Sequence, residues 1–154
     1  MIAVGSGGEP AHPEALRAVR EAAAAGARIA SLCTGAFVLA QAGLLDGRPA
    51  TTHWALADAL AARHPAVEVR PDVLYVDDGR VLTSAGAAAA IDLCLHLVRL
   101  DHGAAVANAV ARAAVVSPSG PAARPSSSTR RCRPSAARGW PRPGPGRWSG
   151  WTAR

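Results

Sequence analysis

The sequence predicts an α/β fold with a mostly parallel sheet, and three stretches carry that prediction. RIASLCTGAFVLAQAG, residues 28–43, passes from an apolar strand through a tight turn into an apolar helix, the element order of α/β proteins. VLYVD and RVLTS flank an Asp-Gly pair at residues 78–79, which signals a hairpin or a return strand. AAAAIDLCLHLVRL, residues 87–100, sets Ile91, Leu95 and Val98 on one helical stripe that Cys94 joins.

The elements follow in order. MIAV reads as a short strand, and GSGG after it as a turn or a nest of backbone N–H groups. PEALRAVREAAAAG, 13–26, reads as a helix. Pro13 suits the first turn, Leu16, Val19 and Ala23 share a face, and Gly26 stops it. RIASL is a strand and TGAFVLAQAG a helix with a glycine near each end. RPATT, 48–52, reads as a strand, and ALADALAARH, 55–64, as a helix stopped near Pro65. After the paired strands and the 87–100 helix, DHGAAVANAVARAAVV continues helically, with Asp101 in a capping role.

Composition bounds the function. The chain has 154 residues, 49% apolar, with one Phe, one Tyr and four Trp. One domain is expected, with a core of Ala, Val and Leu. The formal charge of +6 is unevenly placed. Residues 1–116 hold nine Arg against all eleven acids, whereas residues 117–154 hold eight Arg and no acid. The body therefore has no nucleic-acid footprint. Cysteines at 33, 94 and 132 form neither a disulfide framework nor a zinc-like spacing. A reducing cytoplasm fits them. No signal peptide or membrane span is visible, and neither a metal nor a cofactor is expected.

The chain divides at Val116. Residues 1–116 read as a partial domain, and residues 117–154, with seven Pro and no periodic apolar pattern, as a disordered tail. The tail has two readings. GC-rich codons in a wrong frame yield its Arg, Pro, Gly, Ser, Ala and Trp, so it reads as a frameshifted or altered coding end. The competing reading is a nucleic-acid-binding tail, in which Arg neutralises phosphate and three Trp stack on bases.

Cys33 is the leading candidate for chemistry. A cysteine between a strand and a helix N-terminus meets N–H groups that stabilise thiolate. Gly35 keeps the approach open, the Thr34 N–H is placed to donate to an oxyanion, and the GSGG turn near Gly7 or Gly8 offers a second donor. His53, after the strand-like PATT, is the best proton-carrying partner. The competing reading makes Cys33 a buried turn residue and His53 a loop residue. The others read structurally. Cys94 belongs to a core face, Asp92 and His96 form an i,i+4 pair, Asp46, Asp77 and Asp78 are turn residues, and His12, His64 and His102 sit at helix ends. Cys132 lies in the tail and carries no catalytic assignment.

ASLCTGAFVLAQAGLLDGRPATTHW resembles the cysteine-elbow region of the DJ-1/PfpI superfamily. PDVLYVDDGRVLTSAGAAAAIDLCLHLVRLDHGAAVANAVAR narrows the resemblance to the amidotransferase-like N-terminal domain of GlxA-type AraC-family transcriptional regulators, over roughly residues 3–116. The resemblance implies a partial flavodoxin-like three-layer sandwich, often dimeric, with Cys33 at the nucleophile elbow and His53 at a strand end. It places Gly8, Cys33, Thr34 and His53 around a small-molecule pocket. In the family, strands and an acidic partner of the elbow cysteine precede the segment matching MIAVGSGGE, so that acid is unassigned here. A helix-turn-helix pair that binds DNA follows in the regulators and does not appear in this sequence.

Two functions follow from the resemblance: a ligand-sensing domain of a regulator, or an enzyme in which Cys33 attacks an electrophilic carbon, as in isonitrile hydration or small-amide hydrolysis. Nucleic-acid binding through the Arg-rich tail is a third, carried by the residues alone.

Overall fold

The computed structural model describes residues 2–5 and 9–117. The expectations for Gly7, Gly8 and residues 118–154 lie outside the described residues. Four strands form the main sheet in the order β1-β2-β6-β5: β1 Ile2–Val4, β2 Ile29–Leu32, β6 Val81–Ser84 and β5 Tyr75–Asp78. β1, β2 and β6 run parallel, and β5 returns antiparallel on the edge. Two short strands, β3 Pro49–Ala50 and β4 Glu68–Val69, pair parallel in a second small sheet. The helices are α1 Pro13–Ala24, α2 Gly35–Gln41, α3 Ala57–Arg63 and α4 Ala88–Ala113, with a 3₁₀ turn at Trp54–Leu56 before α3.

Strand alternation builds three layers. Ile29 and Val81 face one way, into a core with Val19 of α1, Phe37 and Leu39 of α2 and Leu60 of α3. Ala30 and Leu82, the next residue of each strand, face the other way onto Tyr75 and Leu93 of α4. Because a strand's side chains alternate, the two parallel strands serve both cores at once. That explains why consecutive residues, Ile29 and Ala30 in RIASL and Val81 and Leu82 in RVLTS, are both apolar.

Local chemistry sets the boundaries. His12 Nδ1 accepts the Glu14 N–H at 3.3 Å at the start of α1, so the expected helix-end role of His12 is a cap. The β5–β6 turn is Gly79-Arg80, and Gly79 takes φ 73°, the backbone sign a tight hairpin asks of its first central residue. The expected RPATT strand shortens to Pro49–Ala50. Thr51 and Thr52 are buried and spend their polar groups elsewhere: the Thr51 N–H donates to Thr83 Oγ1 at 2.8 Å and Thr52 Oγ1 donates to the Cys33 carbonyl at 3.0 Å.

α4 departs from the expected pair of helices. It continues through Asp101 and breaks at Gly103, whose φ of 81° and ψ of 170° are not helical. Asp101 is therefore not the cap of a second helix. Its carboxylate takes both terminal nitrogens of Arg28, at 2.8 and 3.1 Å, and ties the entry of β2 to the turn before the break. The Arg28 hydrogen bonds hold the Asp101 carboxyl below its ordinary pKa of 3.8. Cys94, expected in the core, is half-buried, and with Ile91, Leu95, Val98 and Val110 it lines an apolar groove of about 220 Å³ between the two parts of α4.

Two outcomes test this packing. Leu82 is fully buried, and Leu82→Ala should cost roughly 2–5 kcal/mol in urea unfolding. The Asp101 carboxyl is depressed in the folded chain, so the unfolded chain takes up the proton first as pH falls. The pair's contribution is then present above pH 3.8 and lost as pH drops through the lower folded value. Asp101→Asn should flatten the acid limb of the thermal midpoint against pH and leave the profile above pH 6 parallel to that of the unmodified chain.

Candidate functional site

The site grows from one backbone turn. β2 ends at Leu32 and α2 begins at Gly35, so Cys33 and Thr34 alone make the reversal. Cys33 takes φ 52°, a left-handed conformation that costs a non-glycine residue about 1–2 kcal/mol. Several bonds hold it there. Its N–H donates to the Ser84 carbonyl at 3.1 Å, and its carbonyl accepts from Thr52 Oγ1 at 3.0 Å and from the Ala36 N–H at 3.4 Å. Thr34 Oγ1 donates to the Gly5 carbonyl, which locks the turn to the end of β1.

Two glycines make the room. A Cβ on Gly35 would stand 2.2 Å from the Ala3 carbonyl oxygen, so only glycine lets α2 begin this close to β1. A Cβ on Gly86, in the loop from β6 to α4, would stand 2.8 Å from Cys33 Sγ and 2.5 Å from its Cβ. Gly86 has φ 89°, and Ala87 after it φ 49°. The loop therefore lies directly against the thiol, and α4 starts from it. Sequence reasoning named Gly35 and missed Gly86. The signal was present: TSAG repeats, at the end of β6, the strand–glycine–helix order of the elbow.

Cys33 itself is half-buried and free. Ser84, beside it at the end of β6, is fully buried, and among the described residues its Oγ has no hydrogen-bond partner. His53 is brought towards the elbow through its neighbour, since the Thr52 hydroxyl binds the Cys33 carbonyl. Among the described residues no hydrogen bond joins the His53 ring to the Cys33 thiol. His53 Nδ1 accepts the Ala55 N–H at 3.3 Å, and the ring lies 5.5 Å from that of Trp54, which is 56% exposed. An Nδ1 that accepts leaves the proton of the neutral ring on Nε2. In that state His53 offers a donor, not a base.

The remaining sequence candidates are elsewhere. His96 does not pair with Asp92. Its Nε2 lies 2.6 Å from Asp77 Oδ2, and its ring 5.0 Å from that of Tyr75. Asp77 keeps its expected turn role through Oδ1, which accepts the Gly79 N–H at 3.0 Å. Burial, with the nearby Asp92 and Asp77 charges, raises the pKa of Tyr75. Among the described residues no group of three or more His, Cys, Asp or Glu is placed to hold a metal ion. None of their helices is long and apolar enough to cross a membrane.

Comparison with known proteins agrees with this geometry. The sequence pattern described as the DJ-1/PfpI family matches residues 5–100. The HTH-type transcriptional regulator CdhR of Pseudomonas aeruginosa is 45% identical over 78 residues, 51% of this chain and 23% of CdhR. Isonitrile hydratase of Pseudomonas putida is 43% identical over 81 residues, 53% of this chain and 34% of the hydratase. A crystal structure of an AraC family transcriptional regulator from Pseudomonas putida superposes with a TM-score of 0.61 at 30% identity, covering 68% of this chain and 56% of that one. The aligned parts thus span about a quarter to a third of these two curated relatives.

Gly86→Ala tests the wall beside the thiol. The added methyl collides with Cys33 Sγ at a left-handed position, so the variant should lose more than about 1 kcal/mol of stability in urea unfolding. Alkylation of Cys33 by iodoacetamide should change in rate while that of Cys94 stays the same, as read by peptide mass spectrometry.

Proposed function

This chain belongs to the DJ-1/PfpI family, and from that premise we propose that residues 1–116 are the small-molecule-sensing domain of an AraC-type transcriptional regulator. The observation that carries the reading is the elbow. Cys33 is held in a costly conformation by Ser84, Thr52 and Ala36, while Gly86 presses on its side chain. A strained residue held by its surroundings is a usual mark of a ligand site. The similarity to CdhR and to the AraC family regulator from Pseudomonas putida supports the assignment to regulators.

In this reading a small molecule binds between the Cys33 turn, Thr34 and His53, with Gly8, outside the described residues, as a further expected contact. The Thr34 N–H and His53 Nε2–H are its donors, so the ligand carries an acceptor such as a carbonyl or carboxylate oxygen. The domain pairs with a second copy, and DNA is bound by a helix-turn-helix domain of the regulator. The setting is the cytoplasm.

A second reading is favoured by the same elbow and by the similarity to isonitrile hydratase. The Cys33 thiolate adds to an electrophilic carbon and forms an S–C bond. As sulfur bonds to an isonitrile carbon, the thiol proton passes through His53 to that carbon and leaves a thioimidate. Water then adds across its C=N bond, one proton going to nitrogen, and the S–C bond breaks as the hydroxyl proton returns to sulfur, releasing an N-substituted formamide. The His53 Nδ1 bond to Ala55 and the absence of a described Cys33–His53 hydrogen bond weigh towards binding over turnover.

A thermal-shift screen of small carbonyl and carboxylate metabolites separates the two. Sensing expects a ligand that raises the midpoint of the unmodified chain and loses its effect in His53→Ala, with no product formed. Catalysis expects turnover of an isonitrile or small amide that Cys33→Ser abolishes. Sedimentation with and without the ligand reads the dimer.

A further inference from the structure

The amino-terminal end of the sheet, opposite the elbow, holds a second cavity. Ile29 and Val81 open the parallel strands β2 and β6, whereas Cys33 follows the last residue of β2. Between these strand starts, the end of α1 and the loop after α2 lies a cavity of about 210 Å³. Ile29, Leu44 and Val81 give it apolar walls, and Arg48 and Arg80 line it as well.

The two arginines differ. Arg48 Nη1 is paired with Asp78 at 2.8 Å. Arg80 makes no side-chain hydrogen bond or ion pair with any described residue. Its position has a physical cause. The α1 chain ends towards Gly26, at φ 83°, and a Cβ there would stand 3.2 Å from Arg80 Nη1. The last turn of α1 has no basic residue of its own, and its negative end attracts a cation. Arg80 is exposed, and that attraction favours its guanidinium at this end of α1 while leaving its five N–H donors unused.

We propose that this cavity binds a small monocarboxylate with a short unbranched apolar body. The planar fork of Arg80 matches a carboxylate with two parallel hydrogen bonds, and Ile29, Leu44 and Val81 take the hydrocarbon. The volume equals the share of on the order of seven waters, which suits a four- or five-carbon acid. Charge selects the monoanion. Asp78 is already met by Arg48, and Asp46 Oδ2 stands 3.8 Å from where a Gly43 Cβ would be, at the edge of the cavity. Arg80 is the guanidinium left to answer an anion, and the Asp46 carboxylate opposes a phosphate dianion twice as strongly as a monocarboxylate. The site is independent of the sensing reading, since none of its residues touches the elbow.

Titration of the isotope-labelled full chain by two-dimensional NMR tests it, with butyrate, butyramide and phosphate at matched ionic strength. Butyrate should shift the Ala27, Gly43 and Val81 amides saturably, butyramide should not, and phosphate should bind at least tenfold more weakly. Arg80→Gln should weaken butyrate roughly tenfold or more, and Arg80→Lys should recover part of it. Ala27→Leu, which fills the cavity and changes no charge, should abolish the shifts in a folded chain. Cys33→Ala should leave them intact, which separates this site from the elbow. Equal shifts with butyramide, or unchanged butyrate affinity in Arg80→Gln or Ala27→Leu, would overturn the proposal. In the first of those variants Arg80 would then be a helix-end cation alone.

Discussion

The left-handed backbone at Cys33 is the constraint around which the rest of the molecule is arranged. A two-residue reversal from strand to helix is too tight for ordinary angles, and here a side chain bears the cost that a glycine would avoid. The surrounding elements each contribute one bond. β6 accepts through Ser84, the segment after β3 donates through Thr52, α2 donates through Ala36, and β1 is joined through Thr34 and Gly5. The turn is thus over-determined by strands distant in sequence. Removing any one of them loosens a cysteine and not merely a loop.

The same demand explains why the polar residues of the interior are threonines and serines. Ser31, Thr51, Thr52, Thr83 and Ser84 are all buried. Thr52 and Thr83 satisfy backbone groups where β3 stops and the chain turns towards the elbow. Among the described residues the hydroxyls of Ser31 and Ser84 have no hydrogen-bond partner. The rest of the interior is apolar, with Ile29, Phe37, Leu39, Leu60 and Leu82 all buried.

Much of this was legible in the chain itself. Periodicity marked α1, β2, α2 and the first part of α4, and Asp-Gly marked the β5–β6 turn, because each of these depends on neighbours within a few residues. Cys33 was legible for the same reason, since a strand, a cysteine and a glycine-opened helix lie within ten positions. What escaped depends on distant contacts. RPATT has the composition of a strand, yet Thr51 and Thr52 are drawn off by Thr83 and Cys33. Asp92 stands four residues from His96, but Asp77 reaches that ring first from the edge strand. Asp101 looked like a cap because aspartate is a favoured N-cap and a helical pattern follows it, and Arg28, 73 positions away in sequence, takes it. Gly86 matters only because Cys33 faces it across the sheet.

The wall at Gly86 gives the sulfur a handedness. With one flank closed by backbone, an electrophile or oxidant must approach from the open hemisphere. Whatever bonds to that sulfur must also extend away from α4, or else push the start of a long helix aside.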